Sequence, residues 1–194
     1  MTLCFATNNQ HKITEIVNRV GNNLVIVGLK ELSVFEELPE TQNTFKGNAE
    51  QKALYVFNKT SKPCFADDSG LSVRALGGAP GVFSARYAGP ERNDQRNIAL
   101  LLSNLESHDD RAATFVTTIA LVGFGPTRFF EGHVHGVIAQ APRGINGFGY
   151  DPVFIPEGYS ITFAEMTLEQ KNAISHRAIA TKKLIEFLNS FDGR

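Results

Sequence analysis

The chain has no tryptophan, only two cysteines and two methionines in 194 residues, and no dominant sign of charge. Each scarcity excludes something. Cys4 and Cys64 lie in apolar, strand-like runs without C-x-x-C spacing, so they read as small core residues in a reducing cytoplasm rather than as a disulfide framework or metal site. Nineteen basic residues against 20 acidic ones leave a formal net charge of −1, which argues against a broad nucleic-acid-binding surface. No apolar run approaches the length that crosses a bilayer, and the amino terminus lacks the basic region, apolar stretch and cleavage site of a secretory signal. The phosphate-binding pattern G-x-x-x-x-G-K-[ST] is missing, and Gly144-x-x-Gly147-x-Gly149 runs in the wrong order for the dinucleotide pattern G-x-G-x-x-G. A motor-type NTPase and a Rossmann dehydrogenase are therefore disfavoured. What is present is 42% hydrophobic residues, enough to build the core of one domain.

Hydrophobic periodicity organises that domain. Residues 3–6 form a short apolar run, after which Ile13, Ile16, Val17 and Val20 repeat at helical spacing. Residues 8–12 thus fall at a helix entrance, where free N–H groups and the helix dipole receive anions, although Asn8 or Asn9 could equally cap the helix. Residues 24–27 read as a second strand. Thr44 is placed to cap a helix with Phe45, Ala49, Ala53 and Val56 on its apolar stripe, and Asn48 and Lys52 share one flank of it. Two apolar runs, residues 63–66 and 71–73, bracket Asp67-Asp68-Ser69-Gly70, whose composition predicts a tight turn. A loop over residues 77–81 is followed by a helix from Asp94 with Ile98, Leu101, Leu102 and Leu105 inward. Alternation over residues 112–122 and 127–138 predicts a long hairpin. His133 and His135 share a face of it, the beginning of a zinc site without a third ligand. A loop over residues 144–149 and a strand over 151–155 come next. Thr167 to Gln170 has a capping-box signature, and Ile174, Ala178, Ile185 and Leu188 mark a last helix. Strands and helices mix without strict alternation, which predicts an α/β fold on a mixed sheet.

Adjacent carboxylates are costly, because burial and mutual repulsion both disfavour their charged forms unless a cation is near. The chain supplies cations and polar loops in a telling order: Thr7-x-Asn9-x-x-Lys12, then Glu40-Thr41-x-x-Thr44-Phe45-x-x-Asn48-Ala49-x-x-Lys52-Ala53, then Ala66-Asp67-Asp68-Ser69-Gly70-Leu71. The glycine- and aromatic-rich segment of residues 77–89 follows, then Gly147-Phe148-Gly149-Tyr150-Asp151-Pro152 and Lys171-x-x-x-Ser175-His176-Arg177. In these blocks the chain resembles the inosine triphosphate pyrophosphatase family, in particular its bacterial branch. The resemblance covers nearly all of residues 1–194 as a single domain with two lobes. It implies an elongated mixed central sheet, helices forming the two lobes, and an active site in the cleft between them.

The resemblance also assigns roles. Glu40 and Asp67 would hold Mg2+, Asp67 would be the catalytic base, and Asp68 would contact the substrate or a second metal. Lys12 and Lys52 would clamp phosphates, with Thr7, Asn8, Asn9, Gln10 and His11 adding donors. Phe148, Gly149, Tyr150 and Asp151 would shape a base pocket in which Lys171, His176 and Arg177 donate to a 6-keto oxygen. An adenine amino group there would put donor against donor. Such a protein would hydrolyse ITP, dITP and XTP to monophosphate and pyrophosphate as a homodimer. The alternative is a noncatalytic purine-nucleotide sensor, against which the retention of Glu40, Asp67 and Asp68 argues. A glycosidase is disfavoured because its two carboxylates stand apart across a sugar.

Overall fold

A computed structural model describes residues 2–17 and 24–190. The expected helical residue Val20 lies outside the described residues. Strands β1 (Thr2–Phe5), β2 (Val25–Val27), β3 (Cys64–Val73), β4 (Ala112–Val122), β5 (Arg128–Ile138) and β6 (Phe154–Pro156) form one sheet in the order β2-β1-β3-β4-β5-β6. β1 runs parallel to both β2 and β3, and β6 is antiparallel to β5, so the sheet is mixed as expected. The helices are α1 (Gln10–Val17), α2 (Phe45–Thr60), α3 (Asp94–Asn104), α4 (Leu168–Ile174) and α5 (His176–Ser190).

The chain divides into two compact units. The first comprises Met1–Asp68, Thr117–Gly132 and Arg177–Arg194. Its strands are apolar on both faces. Cys4, Ala6, Cys64, Ala66, Ala120 and Val122 cluster with Ala49, Ala53 and Val56 of α2. The alternate residues Leu3, Phe5, Phe65, Ile119 and Leu121 cluster with Ile16 of α1 and Ala180, Leu184 and Leu188 of α5. This period of two assigns every strand side chain to the α2 face or to the α1/α5 face. The second unit comprises Ser69–Val116 and His133–His176, with a core of Leu71, Val73, Ile98, Leu101, Phe115, Phe154 and Phe163 among others.

Three local expectations are corrected. Residues 67–70 are not a turn: β3 runs unbroken from Cys64 to Val73, because each aspartate finds polar partners on its own face of the strand and the extended backbone costs nothing in exposed charge. Residues 151–153 form a single 3-10 turn, with Pro152 fixing its start, and the strand begins only at Phe154. Ile174 ends α4 instead of belonging to the last helix, since Ser175 adopts an extended conformation that separates α4 from α5. The capping box of Thr167 with Gln170 and the Thr44 cap of α2 form as read from the sequence.

Candidate active site

Strand parity explains how two adjacent carboxylates coexist. Asp67 follows Phe65 and faces α1 and α5, whereas Asp68 follows Ala66 and faces α2. On the first face, Lys12 Nζ donates to Asp67 Oδ1 at 2.9 Å and Arg177 Nε to Oδ2 at 3.2 Å. Arg177 Nη1 also donates to Glu15 Oε2 at 2.5 Å. Glu15, Asp67 and Arg177 are all buried. Burial pushes the Asp67 carboxyl up, but Lys12, Arg177 and Lys52 together outweigh it and hold Asp67 well below the usual carboxylate range. Burial lowers the Lys12 ammonium, and the charges of Lys52 and Arg177 add to that lowering against the pull of Asp67.

On the second face, Lys52 Nζ lies 2.6 Å from Glu40 Oε1 and 3.5 Å from Asp68 Oδ1. Asn48 Nδ2 donates to Asp68 Oδ2 at 3.1 Å, while Asn48 Oδ1 accepts from the Gln42 N–H at 2.8 Å and so ties down the loop after Glu40. Burial raises the Asp68 carboxyl, with the Glu40 charge adding to it against Lys52 and Lys12. Lys52 is lowered by burial, yet Asp68, Glu40 and Asp67 raise it by more. Three carboxylates thus act on one ammonium. Hard oxygen donors around a cationic group are the donor chemistry that Mg2+ takes, and the fit is to an ion completed by water and phosphate oxygens. Among the described residues no group of three acidic, histidine or cysteine side chains forms a full protein cage.

Residues 7–12 make the entrance to α1. Asn9 Oδ1 accepts from the N–H groups of His11 at 3.0 Å and Lys12 at 3.3 Å, and Thr7 Oγ1 accepts from the Asn9 N–H at 3.1 Å. The capping role is realised by Asn9. Asn8, Gln10 and His11 are exposed.

In the second unit the expected base-pocket residues gather around Asp151. Asp151 Oδ2 accepts from Lys171 Nζ at 2.7 Å and from the Phe148 N–H at 2.9 Å. Lys171 Nζ lies 4.8 Å from the Phe148 ring centroid. Gly147 has φ +77°, and a Cβ there would come within 2.0 Å of Asp151 Oδ2, so only glycine lets this loop close on the carboxylate. The buried Tyr150 hydroxyl donates to the Ser84 carbonyl at 2.9 Å. His176 stacks on Phe115 with centroids 4.5 Å apart.

The Ham1 family model matches residues 3–187. The chain belongs to the Ham1 family. Among the relatives of this family member, the dITP/XTP pyrophosphatase of Porphyromonas gingivalis is 52% identical over 187 residues, 96% of each chain. That of Bacillus subtilis is 46% identical over 191 residues, covering 95% of this chain and 96% of the relative. The Ham1 protein of Staphylococcus aureus superposes with a TM-score of 0.91 at 40% identity, covering 98% of this chain and 99% of that one. The HAM1 protein of Coxiella burnetii gives 0.92 at 38% identity over 98% and 100% of the two chains.

Arg177 and Glu15 make contacts that the sequence reading did not include. Arg177, expected to donate to a base, has its Nε and Nη1 committed to Asp67 and Glu15. Glu15 was not legible as a site residue. Its signal is an acid three residues after Lys12, on the same side of a short helix and next to the buried Ile16. Among the described residues the two strand histidines gather no metal-holding cluster, and His135 Nδ1 meets Thr114 Oγ1 at 3.0 Å.

Proposed function

We propose that this Ham1 family member is a Mg2+-dependent pyrophosphatase of aberrant purine nucleoside triphosphates, cleaving ITP, dITP and XTP to monophosphate and pyrophosphate. The carrying observation is the division of Asp67 and Asp68 between two faces of β3, each with its own lysine. Anhydride hydrolysis needs negative charge neutralised and a water aligned, and electrostatics and positioning supply most of its rate. Lys12 and Lys52 supply mobile positive charge, and residues 7–11 add polar groups. Glu40 and Asp68, which flank Lys52 on one face of β3, would hold Mg2+, which when bound neutralises phosphate charge and orients oxygens. Asp67 serves as the base. Drawing Lys12 onto phosphate removes the nearest cation from Asp67 and raises its affinity for a proton. Arg177 keeps Asp67 oriented throughout.

Base reading falls to the Lys171–Asp151 pair with Phe148, supported by His176. Asp151 holds the lysine as a donor, suited to a 6-keto oxygen and mismatched to a 6-amino group. The buried free thiols of Cys4 and Cys64 suit a reducing compartment, and the cytoplasm is the one we propose. The protein works as a homodimer through residues 77–89, where Phe83 is 54% exposed. The deciding assay measures ITP and ATP turnover with and without Mg2+, with pyrophosphate and orthophosphate quantified separately. We expect Mg2+-dependent pyrophosphate release and kcat/KM for ITP at least about a hundredfold above that for ATP. Orthophosphate as the product, or equal turnover of the two nucleotides, would refute the reading.

A further inference from the structure

Phe148 sits between Gly147 and Gly149, both in the left-handed region with φ +77° and +62°. Two such glycines leave an aromatic side chain on a hinge at each side, so its aim depends on what holds the neighbouring peptides. Inside the loop the Phe148 N–H donates to Asp151 Oδ2 at 2.9 Å and the Phe148 carbonyl accepts from the Asp151 N–H at 3.2 Å. Two further anchors come from far along the chain. Asp94 Oδ2 accepts from the Gly149 N–H at 2.7 Å across 55 residues of sequence, and the Ser84 carbonyl accepts from the Tyr150 hydroxyl across 66.

Both outside anchors belong to one connected framework. Asp94 opens α3, and one turn on, the buried Asn97 donates through Nδ2 to the Ser84 carbonyl at 3.4 Å and the Ala85 carbonyl at 3.1 Å. Asn97 Oδ1 accepts from the Ala88 N–H at 2.7 Å. The Ser84 hydroxyl accepts from the Leu71 N–H of β3 at 2.9 Å and donates to the Gly81 carbonyl at 2.6 Å. An acid in a first helical turn has an ordinary use in complementing the dipole, which it fulfils from an exposed position. That use does not require a short, charge-assisted bond to a distant glycine amide.

We propose that Asp94 is a positioning residue for base recognition: its carboxylate locks the Gly149 amide and, together with the Ser84 carbonyl under Tyr150, sets the orientation of Phe148 beside the Lys171–Asp151 pair. This rests on the base-reading role given to that loop above. Asp94 touches no reacting atom, so its loss acts on nucleotide affinity and base choice and spares the chemical step.

The test compares three variants of the full chain. In Asp94→Ala, KM for ITP rises about tenfold with kcat within about twofold of wild type, the effect of losing one hydrogen bond to a charged group. Asp94→Asn retains an oxygen acceptor and restores most of the affinity. Asn93→Ala removes the α3 cap, which accepts from the Arg96 N–H at 2.9 Å, without touching Gly149, and leaves KM unchanged. Backbone hydrogen exchange of residues 147–151 is read in parallel and speeds up in Asp94→Ala only. An unchanged KM and exchange rate in Asp94→Ala, an equal response in Asn93→Ala, or no recovery in Asp94→Asn overturns the proposal. The exchange measurement stands without turnover. If the wild type fails to prefer ITP over ATP, the functional reading falls while the anchoring is still decided.

Discussion

At the scale of single residues, the adjacent aspartates show how strand parity solves an electrostatic problem that sequence alone only poses. Two carboxylates side by side in a chain are repulsive on paper, but on a strand their side chains alternate in direction and bond to different helices. Asp67 is the costlier of the two because it is 1% exposed and depends on Lys12 and Arg177 for its charge. Asp67→Asn removes that charge and leaves the buried Arg177 and the part-buried Lys12 facing an amide. We expect kcat to fall at least about a hundredfold and stability to fall by roughly 3–5 kcal/mol, the cost of breaking a buried ion pair. Domains typically hold about 5–15 kcal/mol, so the variant still folds. Turnover and urea unfolding midpoints measure the two effects, and near wild-type turnover would remove Asp67 from catalysis. The pH dependence has a definite sign. The folded-state pKa of Asp67 is depressed, so its stabilisation is present above the ordinary carboxylate range and is lost as pH falls towards the folded value. The variant lacks that part of the acid dependence.

At the scale of elements, the sequence was most legible where burial imposes a period and least where tertiary partners override local preference. The helices and the long hairpin followed from spacing, and Thr44 and Thr167 marked two helix starts correctly. Asp-Ser-Gly has a turn's composition, but β3 passes straight through it because β1 pairs beside Cys64 and Phe65 and the acids meet helix side chains. Local propensity loses to those contacts. Glu15 was missed for the converse reason: its partner Arg177 lies 162 residues away, and no local pattern encodes that distance. The pair ties α1 to the start of α5. Glu15→Gln should therefore lower the urea midpoint, with a cost of roughly 3 kcal/mol or more for a charge left without its buried counterpart. It should also slow turnover several-fold by loosening Arg177 against Asp67. An unchanged midpoint would mean that water or a local shift compensates Arg177 fully.

At the scale of the whole molecule, the fold class and family were readable because six ordered motif blocks span the chain, whereas association rests on one short segment. Residues 77–89 have neither helical nor strand periodicity, and in the structure they follow the 3-10 turn Arg74–Leu76 and contain a second one, Gly81–Arg86, just after Pro80. Ser84 turns inward and is buried, and that leaves Phe83 outward with the Arg86 guanidinium 5.3 Å from its ring centroid. An exposed aromatic beside an arginine is the composition of an interface centre, and a symmetric dimer would bring this patch against its own copy. A stable contact must bury about 1,200–2,000 Å² in total, so neighbouring surface has to join Phe83, with the aromatic as its anchor. Light scattering at micromolar concentration should give twice the chain mass of 21.3 kDa. Phe83→Asp places a charge in that centre on both copies at once and should shift the mass to the monomer while circular dichroism stays unchanged, since the side chain is not part of the core. A monomeric wild type would exclude the dimer, and a variant that remains dimeric would place the interface on another surface.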